Sequence, residues 1–309
     1  MNRLIVIVLT VFLSTAAGAA PSIPQPKVVK INERIYALLG PMGQPNAHNQ
    51  GYMVNSTVII GEQGVILIDS GASDEVGKHI GKAIAKLTTK PVTHVINTHH
   101  HGDHVLGNVV FGQAEIISSE ICRDMVNKTG DEWVALIENL VGHKLPYTRP
   151  VPASVTYAGE NSRTERTIQG VKMVFWIPTG SHTVGDMMVY LPDDKVLVGG
   201  DILVNRTIPV MRDALVKNWV GTLEQVLAFD AKTIVPGHGP LMKLEDVNKL
   251  QRQMAAFYSG IEAGYKKGLS DSETRKTLDV REWKKLEGFD ANIGGNVSRT
   301  YLEIEQASF

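Results

Sequence analysis

The chain has 309 residues, 43% of them hydrophobic and 20% charged, with 31 basic against 32 acidic side chains. That is enough apolar material for a full core, and the balance is that of a globular protein rather than a disordered or fibrous one. A formal net charge of −1 speaks against nucleic acid as a partner, and no basic run marks a stable membrane-surface contact.

The N-terminus reads as an export signal rather than as part of the fold. Arg3 precedes an apolar run from Leu4 to Leu13, broken only by Thr10. Ala16-Ala17-Gly18-Ala19-Ala20 then offers the small residues of a signal-peptidase site, with cleavage expected after Ala19. The run is about ten residues, and a bilayer span needs about 20. A signal peptide over 1–19 makes the mature protein secreted, with the bacterial periplasm as the expected compartment. Cys122 is the one cysteine, so no internal disulfide is available. At the start of a predicted helix it reads as a small buried hydrophobe rather than a nucleophile.

The predicted elements alternate. Short strands are expected at Val28–Ile31 and Ile35–Leu39, then Tyr52–Ile60, with Gly61-Glu62-Gln63-Gly64 turning the chain into Val65–Asp69. Val76, Ile80, Ile84 and Leu87 recur at helical spacing over 73–87, with Asp74 and Glu75 in the first turn. Val92–Asn97 is a strand candidate, Glu115–Ser118 another, 119–140 largely helical and 146–152 a loop. The second half repeats the theme: strands at Thr164–Ile168, Val171–Ile177, Met187–Leu191 and Lys195–Val198, a helix near Thr222–Phe229 and a strand at Thr233–Val235. From Leu244 onward Val247, Leu250, Met254, Phe257 and Ile261 form one apolar helical stripe. Strand-rich halves covered by helices predict an α/β fold of two sheets packed face to face with helices outside. Residues 20–243 are expected to form the catalytic domain and 244–309 a helical extension packed on it.

The sharpest local signal is Thr98-His99-His100-His101-Gly102-Asp103-His104. In an extended segment residues i and i+2 face the same way, so His99 and His101 can reach one metal while His100 points elsewhere. Gly102 lets the chain turn and aims Asp103 and His104 at a neighbouring position. Imidazole and carboxylate without thiolate suit zinc, with iron or manganese as alternatives.

This His-x-His-x-Asp-His pattern resembles the signature of the metallo-β-lactamase superfamily. Four further segments agree in order: Asp69 at the end of Ile66-Leu67-Ile68, Gly180-Ser181-His182 through Asp186, Val198-Gly199-Gly200-Asp201, and Val235-Pro236-Gly237-His238-Gly239. The resemblance implies an αββα sandwich of two mixed sheets. It implies a first metal on His99, His101 and His182, a second on Asp103, His104 and His238, and Asp201 bridging them. Asp69 is then expected to hold the His99–His104 loop from behind. Two ions about 3.5–4 Å apart can share a water and lower its pKa, with Asp103 orienting it and moving a proton.

The ligand set narrows the chemistry. Aspartate at 201, rather than cysteine, with histidine at 104 resembles hydroxyacylglutathione hydrolases and lactonases more than β-lactamases. The lysine that β-lactamases place shortly after their cysteine is missing after Asp201. Segments at 51–56, 151–157 and 297–303 resemble periplasmic zinc hydrolases that accompany thiosulfate-oxidation and quinoprotein systems. The expected function is hydrolysis of a small acyl substrate, a thioester, ester or lactone. The alternatives are a β-lactamase and a non-haem iron persulfide oxygenase. Asn205, Arg206 and Trp219 are expected to line the substrate pocket. The C-terminal helices are candidates either to cap that pocket or to pair subunits in a homo-oligomer.

Overall fold

The computed structural model describes residues 22–309; the expected signal peptide lies outside the described residues. Strands β1 (Lys27–Lys30), β2 (Ile35–Leu39), β3 (Ser56–Ile60) and β4 (Val65–Ile68) form an antiparallel meander. Helix α1 (Asp74–Ala85) carries the chain across to β5 (Val92–Ile96), parallel to β4. A single helical turn, α2 (Gly102–Val105), and a 3-10 turn at Leu106–Phe111 lead to β6 (Glu115–Ser119). Helix α3 (Glu120–Val141) precedes β7 (Val155–Tyr157), and β5, β6 and β7 run parallel in a seven-stranded sheet.

The second sheet has five strands. β8 (Ser162–Ile168), β9 (Val171–Ile177), β10 (Met188–Leu191) and β11 (Val196–Val204) pair antiparallel in sequence. After α4 (Val216–Val226), β12 (Thr233–His238) pairs parallel to β11. Helices α5 (Leu244–Lys266), α6 (Asp271–Thr277) and α7 (Phe289–Gln306) follow.

Side-chain alternation in the strands produces the layers. In β4, Ile66 and Ile68 enter the core between the sheets, while Val65 and Leu67 face α1 and α3 on the other side. In β9, Val171, Met173, Phe175 and Ile177 point into the inter-sheet core, and Trp176 points out under α4 and α5. The order is therefore helix, sheet, sheet, helix, as the sequence predicts. The α5 stripe from Val247 to Ile261 is buried against Trp219, Leu223 and Ile234, and α7 adds Ile293, Val297 and Ile304 to the same cluster.

Some boundaries differ from expectation: β8 begins at Ser162 rather than Thr164, β12 runs on to His238, and β7 has no counterpart among the expected strands. Tyr52 to Asn55 is not strand: Asn55 N–H donates to Gly237 O rather than to a sheet neighbour, so pairing begins at Ser56. The strand expected to stop at Val198 continues to Val204, because Gly200 takes a positive φ and the pairing with β12 resumes after a register shift. The helix expected at 222–229 starts at Val216 and ends at Val226. Its first two N–H groups, on Val216 and Lys217, donate at 2.7 and 3.0 Å to the Glu303 carboxylate of α7, a cap that comes from a distant part of the chain.

Candidate metal centre

The parallel pairing of β4 and β5 brings two strand ends side by side. Asp69, with φ of 60°, sits just past β4, and its N–H donates to Ile96 O. Its Oδ1 accepts from Thr98 N–H at 2.9 Å, and its Oδ2 accepts from Thr98 Oγ1 and His104 Nδ1, each at 2.8 Å. Fixing one proton of His104 on Nδ1 makes Nε2, which faces the site, the nitrogen a cation would take. A side chain in the left-handed region is held there only when its surroundings determine it, and these three donors do. Ser70 N–H and Oγ also donate to His104 O. Asn108 and Asn97 exchange amide hydrogen bonds beneath the same loop.

The seven residues expected as ligands converge. His99, His101, His182 and Asp201 form one buried group, and Asp103, His104 and His238 another. Asp201 touches both: its Oδ2 lies 3.6 Å from His182 Nε2 and 3.3 Å from His238 Nε2, and its Oδ1 3.2 Å from His104 Nε2. Asp103 Oδ2 is 3.2 Å from His238 Nε2. Two further rings are oriented from behind by hydrogen bonds. His238 Nδ1 donates to Met53 O, and His101 Nε2 donates at 3.0 Å to Asp213, leaving His101 Nδ1 to face His182 Nε2 at 3.0 Å. Asn55 holds the His238 loop by donating to Pro236 O and Gly239 O. Gly237 leaves room for the bridging carboxylate, since a β-carbon there would stand 1.9 Å from Asp201 Oδ1.

This donor set fits cations. His99 Nε2 is buried without a hydrogen-bond partner, and two pairs of imidazole nitrogens face one another, at 3.0 Å for His101–His182 and 3.3 Å for His104–His238. Lone pairs facing lone pairs in a buried space are unfavourable unless a proton or a cation lies between them. The protein's own electrostatics divide the groups. Burial pushes His99 well down and His182 down to about 3. Burial also opposes protonation of His104 and His238, but the Asp201 and Asp103 carboxylates outweigh it. His104 rises well above its ordinary value and His238 to about 10. Burial likewise opposes ionisation of Asp103 and Asp201, and the same two histidines outweigh it and hold both below the usual carboxylate range.

The residues expected to contact substrate do not line the cleft. Trp219 is fully buried, donates Nε1 to Ile202 O, and backs the His182 ring at 5.2 Å. Asn205 uses its amide to hold Pro240 O and Leu241 O. Arg206 is exposed, with φ of 59°. The cleft beside His182, Asp201 and His238 is instead walled by Pro41, Met42, Met53, Val204, Ile208 and Val210, with Gln44 and Thr207 as its polar edge. Asp213 and this wall carried no motif in the sequence; only tertiary contact reveals them. Cys122 is buried beside Val105 and Val126, and burial raises its thiol, so it is no thiolate ligand.

Comparison with known proteins bears on the family and the fold. The family model for the metallo-β-lactamase superfamily matches residues 49–238. The chain is 25% identical over 234 residues to the linear primary-alkylsulfatase of a Pseudomonas species, covering 63% of this chain and 44% of that protein. It is 26% identical over 192 residues to a metallo-β-lactamase type 2 of Bacillus cereus, covering 60% and 66%. The chain thus spans less than two thirds of the length of either relative. Among solved structures, a metallo-β-lactamase from Pontibacter korlensis superposes with a TM-score of 0.60 at 22% identity, over 75% of this chain and 99% of that one, which shows a shared fold. The match extends over more than half the sequence and contains all seven converging side chains, and the chain belongs to the metallo-β-lactamase superfamily.

Proposed function

We propose that this chain is a secreted hydrolase that holds two zinc ions and cleaves a small acyl substrate of the thioester, ester or lactone class. The observation that carries the reading is the bridging position of Asp201 between two ligand groups, beside a cleft with apolar walls. His99, His101 and His182 would hold one ion, Asp103, His104 and His238 the other, and Asp201 both. Zinc suits nitrogen and oxygen donors without thiolate. Bound there, two divalent ions supply Lewis-acid polarisation of a carbonyl and a water of lowered pKa.

The chain's own residues supply the rest. Asp103, held ionised by its two histidines, orients the attacking water, takes its proton and returns it to the leaving group. Asp69 and Asp213 fix the tautomers of His104 and His101. Met42, Met53, Ile208 and Val210 shed water from the acyl group. No lysine or arginine lines the cleft among the described residues. A penicillin carboxylate wants a fixed cation close to the reacting amide, and this cleft offers none. A thiolate or alkoxide leaving group needs no such anchor. Export through the 1–19 signal to the periplasm, and the small sulfur-containing acyl substrate that the narrower resemblance implies, belong to the same proposal.

Steady-state assays on one zinc-loaded preparation test it, with thioester, ester, lactone, alkyl sulfate and penicillin as substrates. The expected result is a kcat/KM for the best thioester or ester at least about tenfold above that for penicillin, roughly 1.4 kcal/mol in transition-state stabilisation. Faster turnover of penicillin or alkyl sulfate than of every acyl ester, thioester and lactone would replace this reading.

A further inference from the structure

Helix α7 lines a cavity that neighbours the cleft. Val210, in the cleft wall, also lines a neighbouring cavity of about 370 Å³ whose other side is α7, through Asn292, Asn296 and Arg299. Gly288 packs between them, where a β-carbon would stand 2.9 Å from Gln44 Nε2 of the cleft and 3.2 Å from Asn292 Nδ2 of the cavity. The shared wall is fixed by α7 itself. Asn296 accepts from Met211 N–H at 3.0 Å and donates to Pro209 O at 2.7 Å, while Ile208 N–H donates to Glu287 O.

The two spaces differ in chemistry. Apart from the candidate metal ligands, the cleft is uncharged, with apolar walls and a neutral polar edge of Gln44 and Thr207. The cavity holds two guanidinium groups, but they are not equivalent. Arg212 is bound to Asp213 at 3.1 Å and lies 4.6 Å over the Trp133 ring. Arg299 is half-buried and, among the described residues, has no carboxylate or hydrogen-bond partner. A half-buried, uncompensated guanidinium in a cavity is suited to a carboxylate or similar oxyanion, which it can grip with two parallel hydrogen bonds.

We infer that Arg299 is a specificity residue, and that the substrate is an ester or thioester with a second, anionic group at the end remote from the scissile bond. The reacting end lies in the apolar cleft and the anion passes Val210 to reach Arg299. This rests on the hydrolase reading for the reacting end, while the anion contact stands on the cavity alone. Residues 244–309 thereby contribute to substrate choice from outside the segment the family model matches.

Two measurements on the zinc-loaded full chain test it. In the first, thioesters of a monocarboxylic acid and of the dicarboxylic acid of equal chain length are compared, over chains of four to eight carbons. At one of these lengths the dicarboxylic thioester should have the higher kcat/KM by about tenfold or more, mainly through KM. Arg299→Ala should bring the ratio close to one, and Arg299→Lys should restore part of it. In the second, the non-hydrolysable monoamides of the same dicarboxylic acids are titrated calorimetrically. Wild type should bind one of them with an affinity that falls at least about tenfold in Arg299→Ala. If no thioester is cleaved but this binding depends on Arg299, the hydrolase reading fails and the anion site stands. If the ratio and the binding are both indifferent to Arg299, the site is refuted.

Discussion

Asp69 never enters either ligand group, yet three donors converge on its carboxylate and one of them decides which nitrogen of His104 a cation would take. Asparagine at 69 would keep the shape but present an amide hydrogen to one of those donors. The His104 proton would then shift to Nε2, the atom needed for a metal. We expect Asp69→Asn to weaken metal uptake at the Asp103–His104–His238 group by about 10–100-fold, the usual cost of losing such a supporting partner. Equilibrium titration with a chromophoric chelator checks this, and unchanged uptake of every equivalent would remove Asp69 from its positioning role. A pH prediction belongs to the same scale. Without metal, His238 at about 10 and the raised His104 carry protons at neutral pH, whereas His99 and His182 do not. A cation must displace those protons, so affinity at the Asp103–His104–His238 group falls as pH falls, by about tenfold per unit for each proton displaced. The His99–His182 group has no such protons on these two rings to lose. Calorimetric titration with zinc at pH 6 and pH 8 should show one equivalent weakening much more than the other. Two equivalents weakening in step would contradict the division.

The elements were legible where local pattern and tertiary demand coincide. The stripe on α5 is written in periodicity, and packing confirms it; β4 is apolar throughout, and only packing divides its two faces. The seven side chains that converge were legible for a different reason: each lies at a strand end or inside a glycine-bounded segment, so short motifs mark them. What sequence hid are contacts made at a distance. The strand expected to end at Val198 runs on through Gly199-Gly200 because β12 supplies the pairing. The start of α4 has no capping side chain of its own, since Leu215 cannot accept, and Glu303 serves from α7. Trp219 is expected to line the pocket, but helical phase turns its ring inward behind His182. The cap gives a direct test. Glu303→Ala should cost about 0.5–2 kcal/mol, the range for losing a helix N-cap, read as a lower urea midpoint with an unchanged slope. A stability equal to wild type would show that α4 does not depend on α7.

At the scale of the whole molecule, the two sheets bring to one end of the sandwich residues from five segments spread over 170 positions, from 69 to 238. The C-terminal helices are continuous with that arrangement, because one apolar cluster joins Trp176 and Trp219 to Val247, Val297 and Ile304. Among the described residues no helix is long and apolar enough to cross a membrane. The two candidate ligand groups meet at Asp201, and metal stoichiometry tests a two-metal site there most directly. Elemental analysis of the purified, zinc-reconstituted chain should find about two ions per molecule, as a two-metal site requires. A chain that binds none after reconstitution, or that saturates at one, would contradict it.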